Sequence, residues 1–152
     1  MKARTLTSLA LALAGSLACA DARAATCTLS SVSSPYFGGY DVFSASPLAT
    51  TGSVTFNCDA GSPISISLSR GGATSFFPRR MTHGSWSLLY NLFTDAAHTT
   101  VWGDGSGGTA TYTNGSPPNG SNVTVTIFGR IPALQNVGAG SYVDTITATI
   151  NF

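Results

Sequence analysis

The stretch that decides the fold is residues 142–152, YVDTITATINF, in which apolar and polar side chains alternate. Alternate side chains of a β-strand lie on one face, so the pattern groups four apolar residues: Ile146, Ala148, Ile150 and Phe152. We expect these four to face a core and to line a groove that accepts a strand. No later strand follows, so we expect one sheet edge beside this strand, or beside the first strand after Cys27, to lack a backbone partner.

Shorter segments with the same alternation fill the rest of the sequence, and glycine, proline, asparagine and serine separate them. The segments are residues 52–58, 64–69, 88–94, 99–102, 109–113 and 123–128. We expect residues 88–94 to form a fully buried strand, and residues 99–102 and 109–113 to form a hairpin around a glycine-rich turn. About seven short strands of this kind predict an all-β sandwich.

The first 24 residues have the pattern of a secretory signal peptide. Lys2 and Arg4 form a basic start, residues 6–17 form a short apolar core, and Ala24 ends a small-x-small cleavage site. Cleavage after Ala20 is the alternative. The apolar run is too short to span a bilayer. We therefore expect an exported chain with signal peptide 1–24 and a single mature domain, residues 25–152.

Two of the three cysteines, Cys27 and Cys58, remain after this cleavage. In an exported protein an even number of cysteines favours a disulfide over two free thiols. The bond would close a loop of roughly 30 residues and stabilise the fold by about 3.5 kcal/mol in the chain-entropy model. The spacing of cysteines and histidines matches no standard zinc finger, so we expect no metal site.

Charge is sparse in the mature part of the sequence. It carries four arginines and five aspartates but neither lysine nor glutamate, which gives a net charge of −1. This balance excludes an electrostatic nucleic-acid binder. Low charge in a chain with 43% hydrophobic residues also argues against disorder. Because lysines normally protect sheet edges from pairing, their absence favours a protein that pairs through its edges.

The residues that could carry chemistry form no coherent set. His83 and His98 are the only histidines, and no Gly-x-Ser-x-Gly motif accompanies them. Residues 103–108, GDGSGG, lack the ligand series of an EF-hand and the lysine of a P-loop. We expect a protein that is not an enzyme, with no catalytic residues, no cofactor and no small-molecule substrate.

An aromatic cluster in the middle of the sequence is a candidate contact surface. Phe76 and Phe77 are adjacent, and Trp86 follows them closely. An exposed apolar tip that touches a surface is one interpretation, and ordinary loop packing is the other. Arg79 and Arg80 beside the cluster either pair with a terminal carboxylate or keep the loop soluble.

Three groups of motifs in residues 27–152 resemble one known family. The first group runs from Cys27 through FGGYD at 37–41 to GSV at 52–54 and Cys58. The second group is LYNLFTDAA at 89–97 and VWGDG at 101–105. The third group is FGRIP at 128–132, Gln135, GSYVDTI at 140–146 and TINF at 149–152. Together they resemble the spore coat protein U domain family, which includes subunits of the archaic, Csu-type chaperone–usher pili of Gram-negative bacteria.

The resemblance implies an immunoglobulin-like β-sandwich that lacks its final strand. A periplasmic chaperone would lend a strand during export through an outer-membrane usher, and a neighbouring pilus subunit would replace it in the fibre. The location implied is the periplasm in transit and then the cell surface of a Gram-negative bacterium. After cleavage at Ala24 only Ala25 and Thr26 precede Cys27, so we expect a minor or terminal subunit that accepts a strand but does not donate one.

The sequence therefore favours one function and leaves two alternatives open. The favoured function is a non-enzymatic structural subunit of an extracellular fibre or coat, assembled by donor-strand complementation through a chaperone–usher pathway. The first alternative is a self-contained secreted coat or matrix protein that closes its own fold. The second is a surface-binding or glycan-binding adhesin at a fibre tip.

Overall fold

Eight β-strands form the regular structure of the chain, in a computed structural model that describes residues 26–59 and 63–152. They are β1 (Cys27–Ser33), β2 (Leu48–Cys58), β3 (Ile64–Leu68), β4 (Arg79–His83), β5 (Trp86–Phe93), β6 (Tyr112–Asn114), β7 (Asn122–Ile131) and β8 (Ala148–Asn151). These two ranges contain no helix long and apolar enough to cross a membrane. The predicted signal peptide lies outside the described residues.

The strands form two antiparallel sheets. The larger sheet has the order β1-β2-β7-β5-β4, and the smaller has the order β6-β3-β8. β2 and β7 pair along nearly their whole length and form the centre of the larger sheet. The prediction of an all-β sandwich is confirmed.

Alternation along the strands builds the core between the two sheets. On β2, Val54, Phe56 and Cys58 are buried, while the residues between them are partly exposed. On β3 the same alternation buries both isoleucines and Leu68. Full burial of a side chain of this size contributes about 1.5–3 kcal/mol. The two rows therefore hold the sheets face to face.

The last strand is shorter than the alternation in residues 142–152 predicts. β8 contains only four residues. Before it, Val143 forms a bridge with Thr82 of β4, which belongs to the other sheet. The Asp144 carboxylate then accepts a hydrogen bond from the backbone N–H of Gly72 at 2.8 Å. The chain therefore crosses from the larger sheet at Val143 to the smaller sheet at β8, and this crossing shortens the last strand.

The predicted hairpin around residues 103–108 is wrong in its pairing. Trp102 and Ala110 form an isolated parallel bridge, and β6 pairs with β3 instead. The Trp102 ring is fully buried, and its Nε1 donates to the Ile66 carbonyl oxygen of β3 at 2.8 Å. This buried ring fixes the segment against the smaller sheet, so tertiary packing overrides the local turn pattern.

Two further strands differ from the sequence pattern. The pattern does not predict β4, because two arginines stand where a strand facing a core would carry apolar residues. β5 is not the fully buried strand expected for residues 88–94, since Leu89 is exposed and its neighbours Leu88 and Tyr90 are buried. β5 has one covered face and one face toward solvent, as in most antiparallel sheets.

Candidate interaction groove

A β-bulge in β1 sets the direction of its apolar side chains. Leu29 pairs with Phe56 of β2. The register then shifts, and Val32 pairs with Val54. Side chains directly opposite each other in an antiparallel pair lie on the same face. Because the bulge adds one residue to β1, Leu29 and Val32 both point to the core face although they are three positions apart.

These two core-facing side chains of β1 are half uncovered. Leu29 is 48% exposed and Val32 is 51% exposed, whereas their partners Phe56 and Val54 are fully buried. β1 is an end strand of the larger sheet, and no strand of the described chain lies on its outer side. An apolar row that faces the core and still meets water marks a gap in the sandwich.

The smaller sheet borders the same gap through β8. β8 is also an end strand, and its Ala148 and Ile150 lie opposite buried residues of β3. A cavity of about 130 Å³ is lined by Val32 from one side and by Ile146 and Ala148 from the other. An engineered apolar cavity of about 150 Å³ accommodates benzene, so this cavity has room for one large apolar side chain. We call the gap the groove. Val32, Ile146 and Ala148 line its cavity, and Leu29 and Ile150 continue the same faces of β1 and β8.

One polar pair lies in the wall of this cavity. Oδ2 of Asp144 accepts a hydrogen bond from the Tyr90 hydroxyl at 2.7 Å. Oδ1 of Asp144 accepts from the backbone N–H groups of Gly72 and Thr145, each at 2.8 Å. Burial, and then the hydrogen bond to Asp144, raise the pKa of Tyr90 well above its ordinary value. Tyr90 therefore stays a neutral donor and anchors the segment that leads into β8.

Arg79 of β4 is a fully buried cation near this pair. Its guanidinium donates to the carbonyl oxygens of Ser69 and Trp102 and to Oδ1 of Asn91, at 2.6–3.0 Å. It also lies 5.0 Å from the centre of the Phe76 ring. Burial lowers the pKa of Arg79 to about 10, so the group is still charged at neutral pH. Its role is to join β4, β5 and the segment after β3.

This placement corrects the expectation for the two arginines. Arg79 neither pairs with a terminal carboxylate nor keeps a loop soluble, because it is fully buried and all its hydrogen bonds go to carbonyl oxygens. Arg80 is the partly exposed member of the pair. Adjacent residues of a strand point to opposite faces, so two identical side chains meet opposite environments.

The closing-strand residues lie largely where the alternation places them. Ile146, Ala148 and Ile150 pack against the core and are partly buried. Phe152 is 60% exposed, so the prediction that it faces the core is wrong. The ladder between β8 and β3 ends at Asn151, one residue earlier. Beyond that point no paired backbone directs the Phe152 side chain.

A disulfide joins Cys27 at the start of β1 to Cys58 at the end of β2. The two cysteines are 31 positions apart and lie directly opposite each other in the sheet. The bond tethers one end of β1 to its neighbour. β1 is therefore held as an edge strand, although no strand in residues 26–59 and 63–152 pairs with its other side.

The three residues of the predicted contact surface do not meet at one tip. Phe76 is buried beneath the Arg79 guanidinium. Phe77 and Trp86 are about half exposed. Phe77 precedes β4 and Trp86 follows the turn after it, so a strand of roughly 17 Å separates them. The prediction that Phe76 belongs to an exposed tip is wrong. A contact role for Phe77 and Trp86 stays a prediction.

The two histidines are held by ring contacts. His83 lies against Tyr142, with 5.6 Å between ring centres. His98 lies edge-on to Phe93 at 5.2 Å. Neither imidazole is hydrogen-bonded to a serine or an aspartate in residues 26–59 and 63–152, and no metal-binding cluster of three such ligands occurs in those ranges. The arrangement offers no assembled nucleophile and base.

The chain matches one family of known domains along most of its length. The model of the Spore Coat Protein U domain family matches residues 13–149. Protein U of Myxococcus xanthus is 34% identical over 110 residues, which cover 67% of this chain and 59% of that protein. The chain therefore spans less than two thirds of the length of this relative. The family resemblance predicted from the motifs is confirmed.

A solved structure shows the same fold. The chain is similar to the CsuC–CsuE chaperone–tip adhesion subunit pre-assembly complex from archaic chaperone–usher Csu pili of Acinetobacter baumannii. The TM-score is 0.60 at 21% sequence identity, over 85% of this chain and 40% of that chain. At this identity the likeness concerns the fold, and it confirms the predicted immunoglobulin-like class.

Proposed function

The chain belongs to the Spore Coat Protein U domain family, and from that premise we propose that it is a non-enzymatic structural subunit of an extracellular fibre or coat. We further propose that it is assembled by accepting a strand from a partner into the groove. One observation carries the proposal. Leu29 and Val32 face the core at about half exposure while their cross-strand partners are fully buried.

A donated strand would extend one of the two sheets and cover the groove between them. Its backbone would pair with the free edge of β1 or β8, and its alternate side chains would point into the groove. β1 contains seven residues, so an occupant of similar length would span about 23 Å. Covering the exposed halves of Leu29 and Val32 would contribute about 1 kcal/mol each. Main-chain hydrogen bonds would supply the rest of the affinity.

The partners proposed are a periplasmic chaperone, an outer-membrane usher and neighbouring subunits. Support comes from the fold shared with a chaperone–subunit complex and from the open edges of β1 and β8. On this proposal the protein passes through the periplasm and ends at the cell surface. The sparse charge of the mature part suits such pairing, because no lysine stands on either edge strand.

A minor or terminal position in the fibre is the finest part of the proposal. It depends on the cleavage site predicted at Ala24, which lies outside the described residues. Mass spectrometry of the exported protein would give its N-terminus. A mature chain that begins at Ala25 supports the terminal position. Homopolymers in which the N-terminus of one copy fills the groove of the next would contradict it.

The test of strand acceptance uses the mature chain and a synthetic peptide with alternating apolar residues. We expect the chain alone to be poorly soluble, and the peptide or a co-expressed chaperone to keep it in solution. Val32→Asp should abolish peptide binding, because insertion would bury an unpaired carboxylate at a cost of several kcal/mol. Since Val32 is half exposed, the variant should still fold.

The matched control is Ser31→Asp, one residue earlier on the same strand. Ser31 pairs with Thr55 on the outer face, so a charge there stays in water when the groove fills. Ile150→Asp should also block binding, and Thr149→Asp, whose side chain is exposed, should not. A soluble monomer that ignores the peptide, or equal binding by Val32→Asp and Ser31→Asp, would favour the self-contained coat protein instead.

A further inference from the structure

A second cavity in the described residues lies at one end of the sandwich, beside the groove. Its volume is about 790 Å³, within the range of small-ligand sites. One wall is the segment 35–43 and the other is the segment 137–142. It adjoins the groove at Pro35, Phe37 and Met81, which line both spaces, but Tyr36 and Phe43 line only this one. We call this space the end cleft.

Two aromatic side chains at the end cleft are almost entirely in water. Tyr36 is 84% exposed and Phe43 is 87% exposed, more than any other large apolar side chain in the described residues. Neither ring contributes to the core. Aromatic rings exposed in this way are typical of contact sites, since water solvates their faces poorly.

The backbone that carries these rings is held in place. The Thr50 hydroxyl donates to the Tyr36 carbonyl oxygen at 2.9 Å, and the Phe43 N–H donates to Oδ1 of Asp41 at 2.9 Å. The Tyr40 hydroxyl donates to the Pro132 carbonyl oxygen at 2.8 Å. It also accepts from the Gln135 N–H at 2.8 Å, so the loop with the exposed rings is fixed to the loop opposite. The rings are therefore presented by a pre-organised frame.

The polar groups of the end cleft are almost all neutral. Asp41 is the one carboxylate in its lining, and neither lysine nor arginine lines it. Gly38 and Gly39 leave backbone groups open, because a Cβ added at either would meet no heavy atom within 4 Å, whereas Gly138 and Gly140 lie against the Trp86 and His83 side chains. Ser141 adds a hydroxyl, and the Tyr142 hydroxyl donates to the Gly138 carbonyl oxygen at 2.7 Å. An anionic ligand would find no counter-charge here, and a purely apolar ligand would leave these polar groups without partners.

We propose that the end cleft binds a neutral carbohydrate, with pyranose rings stacked on Tyr36 and Phe43. A pyranose has a flat C–H face that is attracted to the negative face of an aromatic ring. Its hydroxyl edge donates to and accepts from exposed backbone and hydroxyl groups. The cavity volume of about 790 Å³ has room for a short oligosaccharide. This site is separate from strand acceptance and does not depend on it.

The test titrates the mature chain with cellotetraose, maltotetraose and chitotetraose, with tetragalacturonate as the anionic counterpart. The chain is used alone if soluble, and otherwise with the groove peptide bound. Calorimetry up to about 10 mM sugar gives the Kd, and amide NMR shifts locate the site. We expect at least one neutral oligosaccharide to bind and to shift residues 36–43 and 137–142.

Matched variants separate ring stacking from simple hydrophobic contact. Tyr36→Leu should weaken sugar binding about tenfold or more, because it keeps an apolar side chain but loses the flat face. Tyr36→Phe should bind within about twofold of wild type, since the ring remains. Phe77→Leu makes the same change at an exposed ring outside the cleft and should have no effect.

Four results would overturn the proposal. They are no binding of any neutral oligosaccharide, equal binding of tetragalacturonate, NMR shifts confined to other residues, and unchanged sugar binding by Tyr36→Leu. Retention on octyl-coated beads by both wild type and Tyr36→Leu, without sugar binding, would identify a plain apolar contact surface instead. Strand acceptance is measured separately by the groove peptide, so the two proposals fail independently.

Discussion

Replacement of Arg79 by methionine should be among the most destabilising single changes in this protein. Methionine keeps most of the apolar stem but removes the guanidinium and its contact with the Phe76 ring. Ser69 and Trp102 would then lose the donors to their carbonyl oxygens, and Asn91 would lose one of the two donors to Oδ1. All these groups lie in the interior between β3, β4 and β5.

The magnitude follows from the acceptors left without donors. Two buried carbonyl oxygens without partners cost about 1–3 kcal/mol each. Removal of a buried cation relieves part of this loss, because the lowered pKa of Arg79, about 10, shows that burial disfavours its charge. We expect a net loss of about 3 kcal/mol in the free energy of unfolding, which is a large share of the stability of a small domain.

Urea denaturation of the mature chain, with the groove peptide bound to all variants alike, measures this loss. A change of about 3 kcal/mol should lower the midpoint by about 1–3 M urea. Arg80→Met, the matched control one residue along β4, should change stability by less than about 0.5 kcal/mol. Arg79→Lys should do no better than methionine, because it keeps the buried charge but loses the planar fork of donors.

The reasoning fails under two results. Equal midpoints for Arg79→Met and Arg80→Met would mean that the buried hydrogen bonds contribute nothing net. Full recovery by Arg79→Lys would mean that charge alone matters, and that the three-way hydrogen bonding is incidental.

Three other predictions concern the disulfide, a buried tyrosine and a packed glycine. Thiol counting on the denatured, unreduced protein should find no free thiol at Cys27 or Cys58. Reduction of the disulfide should lower the free energy of unfolding by about 3–4 kcal/mol. Two free thiols would contradict this prediction. The folded-state pKa of Tyr90 is raised, so its stabilising contribution is complete below about pH 10 and declines as the pH rises from there toward the folded-state pKa. The advantage of wild type over Tyr90→Phe in urea midpoint should therefore shrink between pH 9 and 11. A constant advantage would refute the assignment. Gly52→Ala should cost about 1–3 kcal/mol, because the added Cβ would collide with the Ser33 carbonyl oxygen. Gly115→Ala has open space around its Cβ and should be nearly neutral in thermal melts. Equal melting temperatures would show that the backbone moves aside without strain.

The sequence by itself determined the fold class and most of the core. Alternation with a period of two is a local property, because each side chain of a strand points away from the next whatever its neighbours are. Reading it in residues 52–58 and 64–69 identifies the two rows that form the centre of the core. The same rule predicted that Ile146, Ala148 and Ile150 face the core, and all three are partly buried against it.

Only the tertiary structure decided which edge is open and which polar residues are buried. Leu29 and Val32 are three positions apart, a spacing that matches no strand face until a bulge inserted by the pairing with β2 brings them together. Arg79 and Arg80 are adjacent residues of the same type, and only the packing around β4 buries Arg79 and leaves Arg80 partly exposed. Phe152 continues the alternation but lies past the end of the ladder. In each case the decisive contacts join residues far apart in the chain, and local pattern carries no information about them.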